Sequence, residues 1–338
     1  MGDDVTAAIK AAAQWCGQLE YRRWFWGEAL AFDALVAAAD ATGDGQLRTT
    51  AESLLQGWPA EIASRAAQPI DVYAPIRALV RLHQGTGRAD YLGAAVKVAR
   101  HIALGPATKG AFLHQLKGYP PMVFVDFIYY VGPYLGLLSQ VTGETALLDT
   151  AVSQTLGHLD CLQDPADDLV RHVYDPARGE TNGVPWGRGN GWALLGLVDT
   201  LEIVPASHRG RGLLEQRFRR LLGACLERQA AGGLWHTILD DPASPLEYSI
   251  SAFFYAALAK AQRLGLAAGT NEPAASAWRA TFDHIRPDGG FPISMTEWPD
   301  WDPQAYYRRP VGINAWGQGC FLRAASERLA GERLAPAS

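Results

Sequence analysis

The chain has 338 residues, with 30 Lys plus Arg against 35 Asp plus Glu and a charged fraction of 19%. This near-balanced, slightly acidic charge argues against a nucleic-acid partner. Hydrophobic residues make up 48% and include 11 Trp, 12 Tyr and 11 Phe, which excludes a disordered chain and supplies a large core. No apolar run reaches the ~18 residues of a membrane span, and Asp3-Asp4 stands where a secretory signal needs basic charge. A cytoplasmic protein without a membrane partner is expected.

In chain order, apolar residues recur at helical spacing over 29–39, 76–83, 92–102, 127–138, 192–203, 213–226 and 250–264, and strand-like alternation is rare. A phrase recurs between these segments. Thr42-Gly43, Thr86-Gly87 and Val141-Thr142-Gly143 each close one helical pattern shortly before the next begins, with a Gly suited to a left-handed C-terminal cap. Degenerate turns near 203–211 and 264–270 extend the spacing, and no Ser/Gly-rich linker divides the chain. The expectation is one all-α domain over 1–338, made of about six helical hairpins. Six hairpins form either an (α/α)6 toroid or an open solenoid, and the absence of polar capping repeats favours closure.

Long segments after alternate helices are rich in aromatics, Gly, His and charge: 21–28, 114–126, 171–192, 232–248 and 298–318. If hairpins alternate inward and outward, these segments meet at one mouth. Aromatic faces stack on sugar rings while Arg and His bind hydroxyls and carboxylates, so a carbohydrate ligand fits. Eight Trp fall in or beside these segments, namely Trp24, Trp26, Trp186, Trp192, Trp235, Trp298, Trp301 and Trp316; the competing reading is that they are core.

Familiar motifs are absent. The glycines of 105–110 lack the Lys and Ser/Thr of a phosphate loop, and there is no G-x-S-x-G or H-E-x-x-H. Cys16, Cys161, Cys225 and Cys320 are widely spaced, so neither a disulfide framework nor a metal site is expected, and no cofactor is implied. Carboxylates remain. Asp126 is a lone acid between Met122-Val123-Phe124-Val125 and Phe127-Ile128-Tyr129-Tyr130, placed either to cap a helix or to act as an acid of raised pKa. Asp71, four residues before Pro75, has the same two readings.

The run Val125-Asp126-Phe127-Ile128-Tyr129-Tyr130, the turn His172-Val173-Tyr174-Asp175 and the run Trp186-Gly187-Arg188-Gly189-Asn190-Gly191-Trp192 resemble the unsaturated rhamnogalacturonyl hydrolases of glycoside hydrolase family 105. These are relatives of the unsaturated glucuronyl hydrolases of family 88. Trp26-Gly27-Glu28, Asp71, His114 and Gly233-Leu234-Trp235-His236 with Glu247-Tyr248-Ser249 extend the resemblance along the chain. It implies an (α/α)6 barrel that removes a 4,5-unsaturated uronic acid from oligosaccharides made by a lyase, most naturally of rhamnogalacturonan type. It further implies Asp126 as the catalytic acid and Asp71 as its carboxylate neighbour. Substrate binding would fall to His114, His172 and Arg188, with Trp26, Trp186, Trp192 and Trp235 as platforms. The segments 115–121 and 306–317 depart from the family pattern and leave the departing sugar open. An inverting glycosidase or epimerase on the same toroid, and a helical-repeat binding scaffold, are the competing functions.

Overall fold

The computed structural model describes residues 2–21, 24–66, 74–114, 120–295 and 299–334. Fourteen helices occur among them: α1 (Gly2–Gln18), α2 (Trp26–Thr42), α3 (Gly45–Leu55), α4 (Trp58–Ser64), α5 (Ile76–Thr86), α6 (Ala89–Leu104), α7 (Phe127–Tyr130), α8 (Gly132–Thr142), α9 (Thr145–Leu162), α10 (Gly187–Ile203), α11 (Arg211–Leu226), α12 (Tyr248–Arg263), α13 (Asn271–His284) and α14 (Ala315–Leu334). Helices α2, α5, α7–α8, α10, α12 and α14 each pack on the next, and α14 returns to α2. The ring is closed, so the toroid and not the open solenoid is correct.

Outside it, α1 packs on α14 and α2, α3 on α2, α6 on α5, α9 on α8, α11 on α10 and α13 on α12. The two layers differ as their sequences do. Helix α10 is buried from Gly187 through Leu201 without a solvent face, as a helix enclosed on all sides must be. Helix α13 buries only Ala274, Ala277, Trp278, Ala280 and Thr281, a stripe at helical period.

The recurring Thr-Gly phrase is a repeated cap. Gly43, Gly87 and Gly143 take φ of 71°, 72° and 76°, and their N–H groups donate to the carbonyls of Ala39, His83 and Ser139. Thr42, Thr86 and Thr142 donate from Oγ1 to the carbonyls four residues back at 2.7, 2.7 and 2.9 Å, and accept from the N–H of Asp44, Arg88 and Glu144. Each hydroxyl thereby ties the end of an inner helix to the start of an outer one. These short turns lie at one end of the barrel, and the long connections gather at the other.

One expected helix is broken. The segment 127–138 splits at Val131 into α7 and α8, with Pro133 in the first turn of α8; a proline lacks the N–H that would continue the ladder. Strand structure is confined to two- and three-residue pairs in the long connections.

An ion network runs through the axis of the barrel and takes one group from every inner helix. Asp199 of α10 accepts from Arg77 of α5 at 2.7 Å, Lys260 of α12 at 2.5 Å and Arg323 of α14 at 2.9 Å. Asp33 of α2 accepts from the Tyr129 hydroxyl of α7 at 2.7 Å and lies 3.5 Å from Arg77. Burial alone would raise the Asp33 carboxyl, but Arg77, Arg81 and Arg323 overcome it and hold it at about 2. Asp199 is held well below the usual carboxylate range in the same way, by Arg323, Lys260 and Arg77. Tyr129 lies three residues from Asp126, so this network fixes the helix that the acid begins.

Candidate active site

The long connections interlock at the mouth. Val123–Phe124 pairs with Val173–Tyr174, and the N–H of Val125 donates to the carbonyl of His172 at 3.1 Å. Gly187 donates to Thr237, and Leu239 to Pro185. His172 and Asn182 reach Tyr306 in the last connection. The 123–126, 171–187 and 236–247 segments and the described residues 293–295 and 300–306 are therefore tied into one surface at the mouth that carries Asp126.

The glycines of the Trp186–Trp192 run make that approach possible by lacking a side chain. A Cβ at Gly187 would lie 2.4 Å from Ile250 Cδ1, at Gly189 2.9 Å from Val125 Cγ1, and at Gly191 2.7 Å from Phe253 Cβ. None of the three has a positive φ, so contact rather than backbone strain demands glycine. Between them, Asn190 holds the 170 segment through Val170 N–H and C=O, both at 3.0 Å.

Asp126 occupies the N-cap position of α7 yet makes no side-chain cap hydrogen bond. Burial pushes its carboxyl up to about 6, against a hydrogen bond from its own backbone N–H and the pull of Arg188. A carboxyl that caps nothing and stays partly protonated near neutral pH is suited to proton transfer.

Arg188 is fully buried. Its Nη1 donates to the carbonyl of Ser294 at 2.9 Å and to Ser249 Oγ at 3.2 Å, and lies 4.0 Å from Glu247 Oε2. Glu247 caps α12 through Ile250 N–H, accepts from the Ser249 hydroxyl, and accepts from Ser294 N–H at 3.0 Å. Burial lowers the Arg188 pKa and Glu247 opposes that shift, which keeps the guanidinium charged beside Asp126. His172 stacks on Trp186 at 4.2 Å, and the Arg188 guanidinium lies 4.7 Å from the same ring. Trp186 thus aligns the two polar groups.

A match to the Glycosyl Hydrolase Family 88 model runs through residues 3–331. The chain belongs to that family. It is a glycoside hydrolase. The Bacillus subtilis (strain 168) protein named "Unsaturated rhamnogalacturonyl hydrolase YesR" is 28% identical over 335 residues, covering 95% of this chain and 93% of its own. "Unsaturated 3S-rhamnoglycuronyl hydrolase" of Formosa agariphila is 35% identical over 222 residues, 60% of this chain and 56% of its own. A crystal structure described as a possible GH105 family member from Salmonella enterica superposes with a TM-score of 0.88 at 22% identity, over 98% of this chain and 95% of that one. The six-hairpin barrel is the fold of this glycoside hydrolase.

Within this family 88 chain, the expected site residues divide. Asp126, His172, Trp186 and Arg188 come together at the mouth. Asp71 lies outside the described residues, as do Trp298 and the side chain of Trp26, whose backbone opens α2. His114 is fully buried, its ring 4.9 Å from Phe127 and 5.8 Å from Phe124, so it packs behind the acid's helix. Trp192 is fully buried against Tyr129, Tyr130 and Phe253. Trp235 is fully buried against Phe254, with Nε1 donating to the Cys225 carbonyl at 2.7 Å.

Sugar stacking needs an open ring face, so Trp192 and Trp235 correct the reading of mouth tryptophans as platforms. Trp186 and Trp316 are also buried, whereas Trp301 is 38% exposed with the Arg178 guanidinium 4.4 Å from its ring. Composition and position put these rings near the mouth, but Trp192 and Trp316 lie in the first turns of α10 and α14 and Trp235 in a short strand pair, and all three face inward.

Glu247 and Ser249 entered the sequence reading only as part of the family resemblance, with no role, and Ser294, Asn182 and Tyr306 were given none. Glu247 carried a signal, as an acid directly before an apolar helix; Tyr306 and Asn182 carried none, because the partners that define them are distant in the chain. A cavity of about 730 Å³ opens at the short-turn end. Its charged lining, including Lys260 with Glu202 and Arg263 with Glu327, is already paired, and it is remote from Asp126.

Proposed function

We propose that the whole chain acts as one catalytic unit that removes a 4,5-unsaturated uronic acid from the non-reducing end of lyase-generated oligosaccharides. The observation that carries the reading is Asp126, a carboxyl raised to about 6 by burial, free of any capping bond and beside a buried arginine. Membership of family 88 supports it, as do the names of the two relatives, each an unsaturated uronyl-type hydrolase. Both names contain rhamnose, which favours a rhamnogalacturonan-type substrate.

The C4=C5 bond of such a sugar is an enol ether, and protonation at C4 is the step that needs an acid. Neutral Asp126 gives its proton to C4, the pi electrons form the new C–H bond, and an oxocarbenium develops across C5 and the ring oxygen. Water attacks C5 and the Asp126 carboxylate accepts its proton, which restores the acid. The C5 hemiketal opens to a ketone, C1 becomes a hemiacetal, and the aglycone leaves. One carboxyl serves both steps, unlike the paired carboxyls of an ordinary inverting glycosidase.

Arg188 would attract the substrate carboxylate and His172 would hold a hydroxyl. Trp186 aligns both. Asp71 is proposed as the second carboxylate, whose charge raises the Asp126 pKa and orients the water. All four cysteines are buried free thiols, which suits a reducing compartment, and we place the reaction in the cytoplasm.

The test is the ultraviolet absorbance of the conjugated double bond in a lyase-generated disaccharide. Wild-type protein abolishes it, and the saturated analogue is not cleaved. Equal turnover of the saturated analogue, or persistence of the absorbance across a panel of unsaturated disaccharides differing in the reducing-end sugar, would refute the reading.

A further inference from the structure

The last connection brings Tyr306 into the mouth, and its hydroxyl has three nitrogen neighbours. His172 Nδ1 lies at 2.6 Å, Asn182 Nδ2 at 3.2 Å and the backbone N of Asp300 at 3.1 Å. Two of these are obligate donors. The Asp300 backbone N–H can only donate, and the Asn182 amide is oriented by its neighbours: Nδ2 also donates to the Asp300 carbonyl at 2.8 Å, while Oδ1 accepts from Val184 N–H at 3.4 Å. A carbonyl accepts only, so the atom facing it is the NH2 group.

A phenolic oxygen has two lone pairs and one proton. Asn182 and Asp300 occupy both lone pairs, so the proton is directed to the remaining neighbour, His172 Nδ1. Burial raises the Tyr306 pKa, so a phenolate that could accept three donors is not formed. Nδ1 must then be the bare, accepting nitrogen, and the ring proton resides on Nε2.

We infer that Tyr306 is a positioning residue that locks His172 as the neutral Nε2–H tautomer, making it a permanent hydrogen-bond donor to the substrate. The role of His172 toward substrate rests on the function proposed above; the lock itself does not. The charged surroundings agree with a neutral ring. Arg188 and Arg309 face His172, and burial together with their charges holds its pKa well below 6.5. Among the described residues nothing accepts from Nε2. The connection that carries Tyr306 is itself held in place, by the Tyr307 hydroxyl on Asp241 and by Arg178 over Trp301. Tyr306 therefore converts a residue of the divergent 306–317 segment into a determinant of what His172 recognises: a hydroxyl or carboxylate oxygen, never a donor.

Long-range proton–nitrogen correlation spectra of protein labelled at the histidine nitrogens test this directly, with the His172 signals assigned by their loss in His172→Gln. The expected wild-type spectrum has a bare Nδ1 and a protonated Nε2 that do not change between about pH 5 and about pH 8. Tyr306→Phe removes the hydroxyl proton, so the two tautomers mix. On the unsaturated disaccharide, kcat/KM falls by about tenfold, carried by KM rather than kcat, as expected for one hydrogen bond made equally in ground and transition states.

A protonated Nδ1 in the wild type, or a Tyr306→Phe protein with an unchanged tautomer, would overturn the inference, even if its melting temperature had dropped. The wild-type spectrum needs no substrate. A protein with the predicted tautomer but no activity on unsaturated uronates would count against the proposed function and leave the lock standing.

Discussion

Asp126 at the mouth and Asp199 on the axis are both acids of the inner ring, and burial acts on both in the same direction. Their carboxyls nevertheless move apart. Asp126 is pushed up to about 6 with one cation, Arg188, pulling against burial. Asp199 is held far down because Arg323, Lys260 and Arg77 donate to it directly. The comparison teaches that burial makes a carboxyl neither an acid catalyst nor a structural anion. The number of cations within hydrogen-bond reach decides, since each favours the charged form and desolvation alone favours the neutral one. Arg188 also engages Ser249, Ser294 and Glu247.

The largest effect comes from breaking the mouth. Asp126→Asn should lower kcat on the unsaturated disaccharide by about 10²–10⁴-fold, the usual contribution of a positioned acid, while leaving the circular dichroism spectrum of the barrel unchanged. Breaking the axis should do the reverse. Asp199→Ala takes the shared anion from three buried cations, leaving Arg77 and Arg323 with Asp33 and Lys260 with Glu202 and Glu327, and should cost about 3–5 kcal/mol of stability in chemical unfolding, with the chemistry at Asp126 affected only through loss of fold.

A smaller effect is expected where the two regions are packed together. Gly189→Ala places a methyl 2.9 Å from Val125 and 3.0 Å from Trp186. Overpacking of that kind costs about 1–3 kcal/mol. It should reduce kcat more than it reduces the melting temperature, because the atoms that must give way adjoin Asp126.

The finest distinction is in pH. The Asp126 pKa is raised in the folded state, from 3.8 to about 6, so folding is favoured by its proton at low pH and that contribution is lost as pH rises through 6. Asp126→Asn should therefore gain melting temperature relative to wild type above pH 6, over the range in which wild-type kcat/KM declines. The Asp33 pKa is lowered, from 3.8 to about 2, so its contribution is present above pH 3.8 and is lost as pH falls toward 2. Opposite slopes in melting temperature on the two sides of about pH 4 would report the two regions separately; a single slope would refute the contrast.

Much of this was legible in local chemistry. The Thr-Gly caps could be read because a cap is made by residues within four positions of one another. Asp126 could be singled out because an acid in an apolar run is conspicuous, and the structure adds that its side chain makes no cap bond. Trp192 and Trp235 were expected to face a sugar, yet both are buried in the core. Position near the mouth does not say which way a side chain turns. The axial network was not visible at all: Asp33, Arg77, Asp199, Lys260 and Arg323 lie on five separate helices and meet only when the ring closes.

By itself, the sequence determined the helical class, the hairpin repeat and the family, and it singled out Asp126 as the candidate acid. These depend on short-range periodicity, capping and contiguous motifs. Closure of the ring, the state of each buried carboxyl and the partner of His172 were decided by the tertiary structure. His172 and Tyr306 are 134 residues apart and Arg77 and Asp199 are 122 apart, and a pKa or a tautomer is a property of such distant neighbours.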